Sequence, residues 1–265
     1  MRTLLTGECK PENIFQLVDP TEFLEVDFEA EVVKALTCLF PNYFCGVFAG
    51  EFVLDGERKS ADLAMIHKSL SHWFVLEVEL ASHSLEHHVI PQVRCFRYGE
   101  PDSTCITSLC RGFVGIDRSN AELLLTHVPR GVAVISNVYD PVWHPALRTI
   151  DVQFLTVSVF RDYQGRTAHE VQGRLIVLRE NLGFGQFSVV DNSLRFPKSC
   201  GLALGTLQIE DQFGSAGLWT ARAAGDNVWL TKDAGPALLP NGAFVQVIRS
   251  IDGRICLRPQ IKRKE

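Results

Sequence analysis

The segment HWFVLEVEL, residues 72–80, has the composition of a buried β-strand, yet it ends in two carboxylates, Glu77 and Glu79. Side chains alternate between the faces of a strand, and here both faces are apolar until Glu77, as in a central strand that is covered on both sides. Burying an unpaired carboxylate costs several kcal/mol. The segment therefore predicts either a strand that emerges into solvent at Glu77 or a cation that binds both carboxylates.

A third carboxylate is expected beside these two. The preceding segment predicts a strand at 61–66 that pairs with this one in an antiparallel hairpin. If Ile66 lies opposite Trp73, then Asp62 lies opposite Glu77, and opposed side chains share a face with Cβ atoms about 4.5–5.5 Å apart. Like charges this close are unfavourable without a cation, and hard oxygen ligands suit Mg²⁺ or Mn²⁺.

Around this hairpin, the chain up to about residue 160 predicts a mixed sheet flanked by helices. An amphipathic helix at 27–41 places one apolar stripe along its length, formed by Phe28, Val32, Ala35, Leu36 and Leu39. Further strands are expected at 43–54, 131–137 and 152–160, and helices at 84–98 and 141–150. This alternation of helices and strands indicates the α/β class.

Beyond about residue 165, only short strands and turns are expected. The extended segments are 173–178, 205–211, 217–222, 227–232 and 243–259, separated by Gly, Asp, Asn and Pro. The tetrapeptide IDGR, residues 251–254, predicts a hairpin turn. We therefore predict an α/β domain at 1–168, followed by a small all-β domain with a basic tail at 169–265.

Charge is unevenly distributed along the chain. Residues 1–100 carry 16 acidic and eight basic side chains, whereas residues 101–265 carry 15 acidic and 18 basic ones. Six bases lie after residue 240: Arg249, Arg254, Arg258, Lys262, Arg263 and Lys264. An acidic first part and a basic tail fit a metal site followed by a surface that binds a polyanion. A basic tail that is only solvated explains the charge after residue 240 equally well.

The bulk composition, 46% hydrophobic and 22% charged, is that of a soluble globular protein. No apolar run approaches the roughly 20 residues of a membrane-spanning helix, and the first 15 residues lack the apolar segment of a secretory signal. The eight cysteines include no CxxC pair, so we expect reduced thiols, most of them in the core, in a cytoplasmic protein.

The spacing of the carboxylates resembles a known family. Asp62, fourteen residues, and then Glu77-Val78-Glu79 at a strand end is similar to the signature of the PD-(D/E)XK nuclease superfamily, and the order of helices and strands is similar to its restriction-endonuclease-like core. The resemblance covers about residues 25–160. It implies an α/β fold with a mixed sheet flanked by helices.

Further positions agree with the family pattern only in part. VIPQVRCFRYG on the following helix resembles the Gln-x-x-x-Tyr motif of RecB-like members, with Gln92 and a displaced Tyr98. Ser60-Ala61 stands where the motif has proline, a common loss. Glu79 stands at the position of the usual lysine, where some members carry Glu or Gln.

The resemblance implies metal-assisted hydrolysis of phosphodiester bonds. Asp62 and Glu77 would hold one or two Mg²⁺ or Mn²⁺ ions, which polarise the phosphate and make a bound water more acidic. The backbone carbonyl of Val78 would complete the ligand shell. Glu79 would act as a metal ligand or accept the proton of the attacking water, and Gln92 would steady the phosphate.

The first helix is also expected to contribute one glutamate, which would bind the metal or a water on it. On a helical wheel, Glu29 and Glu31 flank the apolar stripe on opposite sides, so the pattern does not distinguish them. Glu31 is our choice.

These features predict a nuclease acting on nucleic acid, with DNA expected, in restriction, repair or phage defence. The alternative is a protein that keeps the nuclease fold only to bind nucleic acid or to serve as a scaffold. Divalent-metal binding at the carboxylates would distinguish the two.

A third hypothesis, a zinc peptidase, comes from HSLEH at 83–87, which matches an inverted zinc-peptidase motif. It requires His83 and His87 on one helical face with Glu86 as the base. Pro91 lies four residues after His87, so that helix is expected to be short or kinked. The alternative for these histidines is that His83 and His88 lie near the carboxylates and contact the phosphate.

The predicted all-β domain has no motif of its own. Its aromatic residues Phe213, Trp219, Trp229 and Phe244 are expected in the core rather than as platforms for bases. A small barrel with a basic edge suits nucleic-acid recognition, and it suits dimerisation or docking of a partner protein equally well.

Overall fold

The computed structural model describes residues 3–5, 14–211, 213–237 and 239–260. The chain forms two compact units, Met1–Ile176 and Val177–Glu265. The first unit extends past residue 168 because the strand Thr167–Gln172 pairs with its sheet. Cys9 and the basic residues Lys262, Arg263 and Lys264 lie outside the described residues.

The first unit is a mixed α/β structure. Its strands are β1 Thr3–Leu5, β2 Ile14–Leu17, β3 Tyr43–Val47, β4 Glu51–Leu54, β5 Glu57–Ser60, β6 Leu63–His67, β7 Trp73–Glu79, β8 Glu100–Pro101, β9 Arg130–Ser136, β10 Gln153–Arg161 and β11 Thr167–Gln172. Its helices are α1 Glu25–Leu39, α2 Ile90–Tyr98, α3 Ser103–Gly112, α4 Arg118–Thr126 and α5 Trp143–Arg148. A 3₁₀ turn spans Pro20–Glu22 and a π-helical turn spans Leu85–Val89.

Two sheets organise this unit. The main sheet has the order β1-β2-β10-β9-β7-β6-β3, with β11 also paired to β10, and a small sheet has the order β5-β4-β8. In the main sheet β9 runs parallel to both β7 and β10, and the other pairs are antiparallel. Every residue of β7 is buried, as expected for a central strand.

The predicted hairpin register is confirmed. Ile66 pairs with Trp73 and Ala64 with Val75, and the ladder between β6 and β7 ends at the pair Leu63 and Leu76. Helix α1 buries the predicted apolar stripe except for Leu39, which is exposed at the C-terminal end of the helix.

Other parts of the first unit differ from expectation. The segment 43–54 forms two strands in different sheets rather than one strand, because the chain leaves the main sheet after Val47. Helices α3 and α4 were not predicted. The side chains of Asp102 and Asp117, each at the residue before a helix, accept backbone N–H bonds within the first turn, from Thr104 and Asn120.

The second unit is a closed barrel of seven strands. These are β12 Arg179–Ser188, β13 Ser193–Pro197, β14 Gly205–Glu210, β15 Ala216–Ala224, β16 Asn227–Lys232, β17 Phe244–Ser250 and β18 Ile255–Pro259. The order around the barrel is β12-β13-β16-β15-β14-β18-β17, and β17 pairs again with β12. The hairpin expected at 251–254 connects β17 and β18.

The start of the barrel corrects the sequence prediction. The segment 173–178 is not a strand, and the unpredicted β12 begins at Arg179 instead. The glycines of β12 resemble turn residues when only the sequence is considered. In the structure they allow close packing, because a Cβ at Gly185 would lie 2.6 Å from the ring of Phe196. At Gly183, φ is +148° and the register with β17 shifts, which marks a bulge.

The expectations for membrane helices and for cysteines have different outcomes. None of the helices among the described residues is long and apolar enough to cross a membrane. The seven described cysteines are free thiols, but only Cys95 and Cys105 are buried, whereas Cys38 and Cys110 are exposed, so most are not in the core.

Candidate metal centre

The candidate site begins where β7 extends beyond the end of its partner strand β6. β6 stops pairing at Leu63, while β7 continues beside β9 as far as Glu79. The freed edge of β7 is occupied by Asp62, whose Oδ2 accepts a hydrogen bond from the backbone N–H of Val78 at 2.8 Å. Because the N–H and C=O of a strand residue point to the same edge, the carbonyl of Val78 also points to this side.

Glu77 is the most strongly perturbed carboxylate of the site. It is only 2% exposed, and its Oε2 has no hydrogen-bond partner among the described residues. Burial raises the pKa of Glu77 well above its usual value, and the nearby charges of Asp62 and Glu79 raise it further. A buried carboxylate oxygen without a donor is costly unless a cation or a proton neutralises it.

Asp62 and Glu77 interact directly. A hydrogen bond between the two carboxyl groups raises the pKa of Glu77, whereas on Asp62 it acts in the opposite direction. Burial nevertheless leaves the pKa of Asp62 above its usual value, despite the bond from Val78 N–H. Both raised pKa values favour the protonated form of this pair, and a metal ion would have to displace any proton that the pair holds.

Helix α1 adds two more carboxylates, Glu25 and Glu29. They are four residues apart and so lie on one face of the helix, and their oxygens and one oxygen of Asp62 all lie within 4.8 Å of one another. Burial raises the pKa of Glu29, and the charges of Asp62 and Glu25 add to this. The first turn of α1 thus faces the end of β7.

Glu31, the glutamate chosen from the sequence, does not lie in this cluster. Its carboxylate accepts a hydrogen bond from Lys34 Nζ at 2.7 Å and pairs with Nε2 of His169 on β11 at 2.7 Å. Burial raises the pKa of Glu31, but these two partners outweigh burial and hold it below its usual value. Glu29 occupies the position that was expected for Glu31.

Glu79 belongs to a separate group with two histidines. It is fully buried; its Oε2 is hydrogen-bonded to Nδ1 of His83, and Nε2 of His88 lies 3.5 Å from its Oε1. Burial raises the pKa of Glu79 to about 7, although the bond with His83 acts in the opposite direction. One ligand atom from each of the three residues lies within 4.8 Å of the others.

The zinc-peptidase motif is not formed as predicted. His83 lies before the π-helical turn rather than on a helix, and Glu86 and His87 are both exposed to solvent. His88, not His87, lies beside Glu79. Pro91 lies in the first turn of α2, where the π-helical turn Leu85–Val89 passes directly into the α-helix.

Gln92 lies in the first turn of α2 and is half-buried. Its Oε1 is enclosed and, within the described part of the chain, has no hydrogen-bond partner. A buried amide oxygen without a donor is uncommon. A bound ligand would supply a hydrogen-bond donor to Oε1 of Gln92.

The donor set of the cluster suits a hard divalent cation. Asp62, Glu29 and Glu25 form a group of carboxylate oxygens, and Glu77 lies beside Asp62 but outside that group of three. No lysine or arginine among the described residues forms an ion pair with any of the four. Oxygen-only sites of this charge fit Mg²⁺, Mn²⁺ or Ca²⁺. The orphaned Oε2 of Glu77 is the observation that the metal interpretation explains best.

Sequence reasoning missed Glu25, and it did not assign His83 and His88 to Glu79 in particular. The spacing of Glu25 and Glu29 by four residues was a usable signal, because it places both on one face of α1. Comparisons with known protein families, with curated proteins and with solved structures found no match.

Proposed function

We propose that this chain is a metal-dependent nuclease with a restriction-endonuclease-like core, as the spacing of Asp62 and Glu77-Val78-Glu79 implies. The supporting observation is the buried, unpartnered Oε2 of Glu77 next to Asp62, which itself groups with Glu25 and Glu29. Such a group is uncommon in an ordinary core, because a buried carboxyl oxygen without a partner is costly whether the group is charged or protonated. A site that binds a cation and a phosphodiester would retain it.

The roles of the chain's residues follow from their positions. Asp62, Glu77 and Glu29 would hold Mg²⁺ or Mn²⁺, with Glu25 and the carbonyl of Val78 at the rim. When bound, the metal would polarise the phosphate and make water a better nucleophile. The hydrogen bond from Val78 N–H holds Asp62 in place before any ligand arrives, so the ligand set is preorganised.

Glu79 and His83 together would take up the proton of the attacking water. Glu79 lies on the same face of β7 as Glu77 and is two residues further along. Its bond with His83 provides a second site for the proton, and a pKa of about 7 suits a base at neutral pH. This pair would replace the lysine of the usual motif, and Gln92 would orient the phosphate.

The test is cleavage of plasmid, linear duplex and single-stranded DNA, and of RNA, in the presence of Mg²⁺, Mn²⁺ or EDTA. Wild type is compared with Asp62→Asn and Glu77→Gln, and with Asp27→Asn as the control. Asp27 is an exposed acid in the first turn of α1, so this control makes the same change of charge outside the cluster. We expect cleavage that needs metal and both cluster carboxylates, and that survives in the control.

Wild type that cleaves none of these substrates with either metal would contradict the proposal. Cleavage that persists in Asp62→Asn and Glu77→Gln at the wild-type rate would also do so. The cellular role that we propose is restriction, repair or phage defence, with DNA as the substrate.

A second candidate is a protein that keeps the fold for binding alone. The binding-only candidate is favoured by the presence of Glu79 at the position where the family motif has a lysine. It predicts that nucleic acid binds equally well with Mn²⁺ and with EDTA, and that Glu77→Gln leaves this binding unchanged.

A further inference from the structure

The outer face of the barrel carries a row of side chains that includes a tryptophan expected in the core. Strand residues alternate between the inside and the outside of a barrel. Leu194, Phe196, Val228 and Leu230 are buried in the barrel core. Trp229 lies between two of these residues on β16 and therefore faces outward, whereas Trp219 is buried.

The strand registers place arginines on both sides of Trp229. On β13, Arg195 is directly opposite Trp229, and on β15, Arg222 is directly opposite it from the other side. Neighbouring strands lie about 5 Å apart, so the three side chains form a continuous row, Arg-Trp-Arg. Gln186 on β12 continues the row next to Arg195, and Phe244 on β17 follows Gln186.

The two arginines of this row are available for a ligand. Both are exposed, and neither forms an ion pair within the described ranges. Elsewhere on the barrel, Arg249 is paired with Glu180 at 2.6 Å and Arg254 with Asp252 at 2.6 Å. The basic edge expected at Arg249 and Arg254 is therefore neutralised locally, whereas the Arg-Trp-Arg row is not.

A groove lies along one side of the row. It has a volume of about 300 Å³ and is lined mainly by polar groups: Gln186, Ser188, Asp191, Arg195, Trp229 and Asn241. Asp191 accepts a hydrogen bond from Ser188 at 2.8 Å. The groove thus offers one aromatic face, one free guanidinium and amide groups that can both donate and accept hydrogen bonds.

We propose that this row binds single-stranded nucleic acid, with a base stacked on Trp229 and phosphates on Arg195 and Arg222. Aromatic side chains interleaved with free cations are the combination by which proteins hold single strands. In a duplex, the faces of the bases are already stacked on their neighbours and are not available. This inference rests on the proposed function for the choice of nucleic acid, and it adds the strand class and the place of binding.

The test is binding of the full chain in EDTA, where metal-dependent cleavage is blocked. Fluorescein-labelled single strands of DNA and RNA and the matched DNA duplex are titrated by anisotropy, and quenching of tryptophan fluorescence is followed in parallel. Trp229→Ala and the double variant Arg195→Ala/Arg222→Ala are compared with Arg179→Ala. Arg179 is an exposed arginine on the same barrel, seven residues before Gln186 along β12.

We expect single strands to bind more tightly than the duplex and to quench tryptophan fluorescence. Trp229→Ala should weaken binding of single strands by roughly tenfold to a hundredfold, the usual loss for one stacked base. The double arginine variant should weaken it and lower the slope of log K against log salt by about 0.7 for each phosphate that is no longer neutralised. Arg179→Ala should bind like wild type.

The inference would be overturned if the double arginine variant, whose changes are confined to exposed side chains, binds single strands like wild type with an unchanged salt slope. Equal affinity for the duplex and for single strands would overturn it as well. So would a chain that binds an acidic peptide, added as a competitor, but binds no single strand. The two proposals can fail separately. Glu77→Gln should bind single strands normally although it is expected not to cleave them. Wild type that binds single strands at the row but never cleaves would support the barrel site and contradict only the nuclease.

Discussion

Replacing Glu77 by glutamine should stabilise the metal-free protein while it removes metal binding. The Glu77 side chain is 2% exposed, its Oε2 is unpartnered among the described residues, and burial raises its pKa well above the usual value of 4.5. Glutamine has nearly the same shape and carries no charge. The variant therefore keeps the packing and removes the cost of holding an acid in this position.

The size of the effect follows from proton linkage. Above pH 4.5 the unfolded chain loses the proton of Glu77, whereas the folded chain retains it because its pKa is raised. The stability of wild type therefore falls as pH rises, by about 1.4 kcal/mol per pH unit. This slope holds between pH 4.5 and the raised pKa of Glu77, and Glu77→Gln does not share it. For a unit of this size, each kcal/mol corresponds to roughly 2–4 °C in Tm.

The assay is scanning calorimetry of both proteins in EDTA at pH 5, 6 and 7, repeated with Mn²⁺. We expect the Tm of Glu77→Gln to exceed that of wild type by an amount that grows with pH. Mn²⁺ should raise the Tm of wild type alone, because only the folded wild type binds it. A Tm of Glu77→Gln below that of wild type at pH 7 in EDTA, or an equal rise with Mn²⁺ in both proteins, would refute the reasoning.

Three further predictions concern other residues. His83→Ala should lower the cleavage rate by roughly 10²- to 10⁴-fold, as for loss of a proton-transfer group, with unchanged Mn²⁺ affinity by calorimetric titration; equal rates would contradict its role. Gly131→Ala should destabilise the protein by roughly 1–3 kcal/mol in urea unfolding, because the new Cβ would lie 2.4 Å from the ring of Phe74. Glu31→Gln should destabilise at pH 7, since Lys34 and His169 lower the pKa of Glu31. Its difference from wild type should shrink as pH falls from 4.5 through the lowered pKa of Glu31, and a difference that stays constant from pH 7 to pH 3 would exclude the ion pair as its cause.

Local patterns were sufficient to predict the hairpin that carries the site. The register of β6 and β7 could be predicted because both strands are short, apolar and joined by a tight loop, so only one pairing buries both. The position of Asp62 beside the end of β7 followed from that register. The separate β-rich unit could be predicted from its turn residues for the same reason, since turns depend on local chemistry.

The choice between Glu29 and Glu31 could not be made from the sequence. Both residues flank the apolar stripe of α1, and only the tertiary position of the helix determines which flank faces β7. In the structure, His169 of β11, more than 130 residues away along the chain, pairs with Glu31 and leaves Glu29 for the cluster. The sequence offered no signal for that long-range pair.

The division of the carboxylates into two groups was also unexpected. The sequence predicted one patch containing Asp62, Glu77 and Glu79, because alternation places Glu77 and Glu79 on one face. The turn after β7 brings His83 and His88 to Glu79, so its oxygens group with these histidines rather than with Asp62. A histidine partner of this kind depends on the path of a loop, which periodicity does not predict.

Trp229 shows a similar limit in the barrel. An aromatic residue between apolar neighbours was expected in the core, but the alternation along β16 places Val228 and Leu230 inside and Trp229 outside. The residue could have been assigned correctly from the spacing alone. Trp229 is half-buried, Phe213 and Phe244 are exposed, and of the four aromatics only Trp219 is fully in the core.

The measurement that tests the central claim most directly is a calorimetric titration of Mn²⁺ into wild type and Asp62→Asn at pH 7.5. We predict that wild type binds at least one ion and releases protons as it does so, because Glu77 must lose its proton to act as a ligand. The site should be absent in Asp62→Asn and intact in the Asp27→Asn control. Wild type that binds no Mn²⁺ at millimolar concentration, or Asp62→Asn that binds as tightly as wild type, would contradict the account.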